Sequence, residues 1–131
     1  MLTSFSQINF PIEVYINNIS QTNVYSEYNF DYPENNVTLV YDLVDNMECM
    51  FCCCSNITKI DLTNFDSSEV SKIISIFVNC TSLIEINLSN FNTSKLNSMR
   101  YMFTNCSKLE YIDLSSLNIS KCVLCLLIVL H

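Results

Sequence analysis

Apolar positions along this chain follow two rhythms, and the second one repeats. Between Pro11 and Tyr41 the rhythm is two. Ile12, Val14 and Ile16 alternate with Glu13, Tyr15 and Asn17, and Val37, Leu39 and Tyr41 alternate in the same way. Such alternation puts apolar side chains on one face of an extended strand. Two short strands are therefore predicted, separated by a polar loop from Asn17 to Asn36 with a further short strand near Val24. From Asp45 to Cys122 whole blocks recur. Phe51, Phe77 and Phe103 lie 26 residues apart, as do Cys54, Cys80 and Cys106. Ile57, Leu83 and Leu109 keep that interval, as do Ile60, Ile86 and Ile112, then Leu62, Leu88 and Leu114, then Phe65, Phe91 and Leu117. A fixed period of this size marks one supersecondary unit stacked on copies of itself.

Each repeat has two halves. In the middle repeat Leu83, Ile86 and Leu88 alternate with Glu85, Asn87 and Ser89, which predicts a strand with a polar outer side. The other half runs through Val70, Ile73, Ile74, Phe77 and Cys80, whose spacing predicts a helix. Ser67 and Ser68 are its candidate caps, and Glu69 lies near its positive end. Leu96, Met99, Met102, Phe103 and Cys106 copy this half in the third repeat, and Met47, Met50, Phe51 and Cys54 in the first. Strand plus helix in each repeat predicts a parallel sheet backed by helices. Residues 1–44 would be an N-terminal β cap over the open edge of the first repeat.

The segments "NMECMFCCCSNITKIDLTNF" (Asn46–Phe65) and "MRYMFTNCSKLEYIDLSSL" (Met99–Leu117) resemble the BspA-like leucine-rich repeat of surface proteins in bacteria and single-celled eukaryotes. The family pattern is matched at Met47, Met50, Phe51 and Cys54, at Phe77, Cys80 and Leu83, at Asn90, Phe91, Thr93 and Ser94, and at Met102, Phe103, Cys106 and Leu109. "NNVTLVYD" (Asn35–Asp42) is similar to the segment that precedes the repeats in eukaryotic members. Ile73, Ile76 and Leu117 depart from the pattern conservatively. The fold this implies is α/β, a leucine-rich-repeat solenoid of about three 26-residue strand–helix repeats over residues 45–122 with an N-terminal β cap. The resemblance also implies a cell-surface setting and a non-enzymatic role in binding a protein or a surface glycan.

Composition narrows the function further. The chain has no glycine, which removes P-loops and dinucleotide-binding turns from consideration. Its net charge is −7, and residues 1–58 hold Glu13, Glu27, Asp31, Glu34, Asp42, Asp45 and Glu48 but no Lys or Arg. That balance argues against nucleic acid and anionic membrane as partners. Met1–Phe10 lacks a signal peptide's basic start and apolar run. The apolar tail 123–131, "VLCLLIVLH", is far shorter than the roughly 20 residues that span a bilayer. By register a fourth helix with a polar face belongs there. A truncated or frame-shifted end and a genuine capping strand are both open, and a degenerate fragment without independent binding is the alternative function.

Candidate chemistry is sparse. Cys49, Cys52, Cys53 and Cys54 offer three readings: a zinc site, a disulfide within the cluster or to the tail, and reduced thiols. The last is favoured, because adjacent cysteines on a helix point in different directions. Cys54, Cys80 and Cys106 read as small apolar residues stacked in the core. Asp61, Asn87 and Asp113 form an outward ladder whose carboxylates lie two rungs apart, beyond the spacing of a retaining glycosidase pair and at the edge of the inverting range, with no pocket or companion base implied, so a solvated face is expected. His131 is the only histidine and leaves a nucleophile without a positioned base. No catalytic residue, metal or cofactor is expected. Asn18, Asn36, Asn56, Asn79, Asn87, Asn92, Asn105 and Asn118 all match N-x-[ST], most of them generated by the repeat itself. The expected binding surface is the outward strand face, with Lys59, Glu85 and Tyr111 in one column and Asp61, Asn87 and Asp113 in the next.

Overall fold

Asn17 and Asn18 both hold positive φ, 50° and 65°, and reverse the chain in two residues. Asparagine tolerates this left-handed region, and two such residues in succession give the tight turn that suits a hairpin. The turn joins β1 (Glu13–Ile16) to β2 (Ile19–Ser20). β3 (Val37–Val40) pairs along the other edge of β1, from Glu13 opposite Val40 to Ile16 opposite Val37, so the antiparallel sheet runs β2-β1-β3. This is a computed structural model that describes residues 11–21, 23, 35–110, 112–118 and 120. β1 and β3 lie where the alternating pattern predicts strands. β2 falls in the stretch expected to be loop, and the Asn17–Asn18 pair was its overlooked signal. The strand expected near Val24 and the apolar tail 123–131 lie outside the described residues.

The sheet covers the first repeat through its apolar face. Val14 is fully buried against Ile16, Val37, Leu39 and Ile57. Leu39 and Tyr41 reach the main core, where the Tyr41 ring meets Phe65 edge-on at 6.4 Å.

The 26-residue interval is a stacking step. β4 (Lys59–Asp61) and β5 (Glu85–Asn87) pair in parallel, with Lys59 opposite Glu85, Ile60 opposite Ile86 and Asp61 opposite Asn87. Ile60, Ile86, Leu62 and Leu88 are buried, whereas Lys59, Asp61, Glu85 and Asn87 are exposed, as the alternation predicts. In the third tier Ile112 and Asp113 belong to no strand, although Ser116 Oγ donates to Leu88 O at 2.8 Å and ties that tier to the second.

The other half of each repeat overturns the expected α/β strand–helix solenoid. The described residues contain no helix. Where helices were predicted, the chain makes successive tight turns. Met50 N–H donates to Met47 O and Cys54 N–H to Phe51 O, each three residues back rather than four. Every second N–H instead leaves the tier. Met47, Cys49, Phe51 and Cys53 donate to Lys72, Ile74, Ile76 and Val78. Ile73, Ser75, Phe77 and Asn79 donate in the same way to Ser98, Arg100, Met102 and Thr104. Two further parallel bridges, Asn46 to Lys72 and Lys72 to Ser98, extend the pattern. Backbone groups that a helix would satisfy internally are thus satisfied between tiers.

The turns depend on left-handed residues at fixed places. Cys49, Ser75 and Tyr101 have φ of 55°, 56° and 58°, and Cys53, Asn79 and Asn105 have 61°, 61° and 60°. A left-handed residue every four positions breaks any α-helix while still turning Met47, Met50, Phe51 and Cys54 inward at helix-like spacing. Ser67, expected to cap a helix, instead accepts Asn92 N–H at 2.6 Å across the tier boundary. A test follows from the opposite demands of the two geometries. Asn79→Ala stabilises a helix interior, but at positive φ alanine lacks the polar side chain that eases asparagine into this region and loses the hydrogen bond that Asn79 Oδ1 accepts from Asn105 Nδ2 at 2.8 Å, together worth about 1 kcal/mol. We expect Asn79→Ala to lower the urea midpoint by an amount equivalent to about 1 kcal/mol; a higher midpoint would restore the helix.

The core is one strip along the stack. Met47, Ile73 and Met99 are buried in one column, and Met50, Ile76 and Met102 in another. Phe51, Phe77 and Phe103 stack nearly parallel, with centroids 5.7 and 5.4 Å apart. Phe65 stacks on Phe91 at 6.3 Å.

Candidate functional site

The exposed face of β4 and β5 collects most of the residues singled out from sequence, and the repeat dictates their surroundings. Lys59 Nζ lies 2.9 Å from Glu85 Oε2, and both side chains are more than half exposed. An ion pair so wet contributes little stability, about 0–1 kcal/mol. It does join the first two rungs of the outer column and leaves that column without net charge. Tyr111, expected as the third member of the column, lies outside the described residues.

The next column is a ladder of side-chain turns. Asp61 Oδ1 accepts both Thr63 N–H at 3.0 Å and Thr63 Oγ1 at 2.8 Å. Asn87 Oδ1 accepts Ser89 N–H at 3.1 Å and Ser89 Oγ at 2.7 Å, and Asp113 Oδ1 accepts Ser115 N–H at 2.8 Å. Hydrogen bonds from Thr63 and Ser115 favour the charged carboxylate and hold Asp61 and Asp113 below the ordinary 3.8. Such carboxylates make poor general acids or bases near neutral pH.

The same device recurs five residues on, at Asp66 with Ser68, Asn92 with Ser94 and Asn118 with Ser120. Aspartate and asparagine exchange freely at both ladder sites. At Asn87, Asn92 and Asn118 the N-x-[ST] pattern is therefore the signature of a turn that needs an acceptor oxygen two residues before a Ser or Thr. A glycan acceptor would not tolerate aspartate.

Beside the ladder, Glu85, Ile86, Asn87, Leu88 and Ser89 with Asp113, Ser115 and Ser116 line a shallow depression of about 510 Å³. A second hollow of about 200 Å³ lies at the junction with the cap, among Tyr41, Asp42, Leu43, Val44, Asp66, Ser68 and Glu69. Glu69 is held there by Lys95. The turn side carries Tyr101, which is 41% exposed with the Arg100 guanidinium 5.6 Å from its ring centroid.

The cysteines divide into two groups. Cys49 and Cys52 form a disulfide with Cα atoms 4.8 Å apart, which corrects the favoured reading of reduced thiols for these two. The left-handed turn at Cys49 closes on Cys52 and sets the two Cα atoms within ordinary disulfide reach. Cys53 is exposed, and Asn79 Nδ2 lies 3.6 Å from its sulfur. Cys54, Cys80 and Cys106 are buried in the stack, as expected. The Cys80 thiol donates to Phe51 O and the Cys106 thiol to Phe77 O, both at 3.0 Å. Burial pushes Cys54 up to about 11 and Cys80 up to about 12 from an ordinary 9.0, and raises Cys106 as well. Because the unfolded chain releases these protons first, stability is intact below about pH 9 and falls as pH rises toward 12. We expect native protein to label at Cys53 and to leave Cys80 and Cys106 unmodified until urea is added. Native labelling of Cys80 would contradict its burial. Among the described residues no group of three His, Cys, Asp or Glu side chains converges to hold a metal.

These features define a stacked-repeat protein with a polar, shallow outer face and a small antiparallel sheet over its first tier. The chain belongs to the family described as Mycoplasma protein of unknown function, DUF285, whose model matches residues 26–125. No curated protein and no solved structure matches the chain. Among the described residues no helix is long and apolar enough to cross a membrane.

Proposed function

We propose that this chain is a non-enzymatic interaction module that binds another protein or a surface glycan across the exposed face of β4 and β5. One observation carries the reading. Exposed, chemically varied side chains stand in register on a backbone held by a buried core, so the face is presented without a backbone-ordering cost at binding. Among the described residues Asp61, Asn87 and Asp113 use Oδ1 to hold their own turns, which leaves Oδ2 or Nδ2 to face a partner. The likeness of the repeat motif to BspA-like surface proteins supports a partner outside the cell.

The test uses a panel of immobilised glycans and surface-protein extracts, comparing wild type with the double variant Lys59→Glu and Glu85→Lys, which exchanges the two exposed charges and leaves the Asn87 turn in place. Both positions are exposed, so the fold is kept. Binding should weaken tenfold or more, about 1.4 kcal/mol. Affinity that ignores this variant but falls when Glu27, Asp31 and Glu34 are neutralised would place the site on the N-terminal segment.

A further inference from the structure

We propose that Cys49 and Cys52 form a reversible thiol–disulfide exchange site whose substrates are low-molecular-weight thiols and their disulfides, with both redox states housed in the same fold. The disulfide closes a turn that the repeat builds twice more without one. Ser75 and Val78 occupy the matching positions in the second tier, and Tyr101 and Thr104 in the third. The leading residue has φ of 55°, 56° and 58° in the three tiers. The turn hydrogen bond, Cys52 N–H to Cys49 O, Val78 N–H to Ser75 O and Thr104 N–H to Tyr101 O, measures 3.1, 3.1 and 3.3 Å. The turn therefore does not need the bond, and a loop this short restrains the unfolded chain less than a long one does.

The reduced state also has a place prepared. Cys52 Sγ lies 2.9 Å from Ser75 O in the next tier. Cys80 and Cys106 already donate their thiol protons to carbonyls of the neighbouring tier, so a reduced Cys52 has an equivalent acceptor without moving. Cys49 and Cys52 are only half-buried, within reach of a small thiolate. That thiolate attacks Cys49 Sγ, the Cys49–Cys52 bond breaks, and the Cys52 thiolate leaves, takes a proton from water and, as a thiol, donates a hydrogen bond to Ser75 O. A second thiolate attacks the small-molecule sulfur of the mixed disulfide and releases Cys49. Two small thiols are oxidised to one disulfide and two protein thiols appear.

The experiment equilibrates full-length protein and its Cys53→Ser variant in graded mixtures of reduced and oxidised glutathione. Acid quenching, alkylation and site assignment by tandem mass spectrometry follow, with a urea melt at each end of the series. Cys49 and Cys52 should pass together from disulfide to dithiol over a roughly hundredfold change in the thiol–disulfide ratio. Cys80 and Cys106 should stay unmodified, and the melt should stay cooperative in both states. Cys52→Ser should leave Cys49 to capture one glutathione. A pair that resists reduction until urea unfolds the chain, a melt that collapses on reduction, or Cys53 pairing in place of either cysteine would each overturn the proposal.

Discussion

Leu88→Asp is expected to abolish cooperative unfolding, while Asn87→Asp one residue away leaves the urea midpoint almost unchanged. Leu88 is 2% exposed and lies in the strip shared by all three tiers. An ionised carboxylate there has no partner, and its desolvation costs several kcal/mol even after the site relaxes. A domain of this size has only about 5–15 kcal/mol in total. The strip is continuous, so the loss is felt in the tiers on either side. Asn87 is exposed, and its structural task is to offer Oδ1 to Ser89. Aspartate performs that task at Asp61 and Asp113, so the change should stay within about 0.5 kcal/mol. Circular dichroism through a urea series measures both. Equal effects would mean that the inward and outward sides of β5 have been exchanged.

The alternation that separates Leu88 from Asn87 was legible because period two has one structural meaning when a buried face is present. Helix-like spacing is less specific. Met47, Met50, Phe51 and Cys54 point inward whether the backbone winds as a helix or as two left-handed turns. Glycine usually distinguishes these, since it marks positions of positive φ. This chain has none, and the left-handed places fall to Cys49, Ser75, Tyr101, Cys53, Asn79 and Asn105. Only the asparagines carry a readable bias for that region. With a helix assumed there, a disulfide within the cysteine cluster was one of three readings but not the favoured one, and the left-handed turn at Cys49 was missing from the picture. In the first two tiers the outward residues Lys59, Asp61, Glu85 and Asn87 still stand in register, since their placement depends on β4 and β5 and not on the other half of the repeat. The turns anchored by Asp61, Asn87 and Asp113 were read only as an outward polar ladder and, at Asn87, as an N-x-[ST] match; their hydrogen bonds to Thr63, Ser89 and Ser115 give the pattern its meaning.

Phe77→Ala should be the most damaging truncation in the stack and should outweigh Phe51→Ala. Phe77 is fully buried, with ring neighbours on both sides at 5.7 and 5.4 Å, whereas Phe51 is 6% exposed and has Phe77 as its ring neighbour among the described residues. Removing a buried phenyl ring typically costs 3–5 kcal/mol, through lost transfer energy and the cavity left behind. At Phe77 the cavity also interrupts the column that couples the first tier to the third. Stability in a stacked array is the sum of weak units and the interfaces between them, so losing the central interface should divide the transition as well as shift it. We expect the urea melt of Phe77→Ala to broaden, with the slope falling as the tiers separate. Phe51→Ala should move a still-sharp transition by a smaller amount. Phe77→Leu, which refills much of the space, should recover most of the loss. A single sharp transition in Phe77→Ala, shifted no further than in Phe51→Ala, would show that the inter-tier backbone hydrogen bonds, rather than the phenylalanine column, hold the stack together.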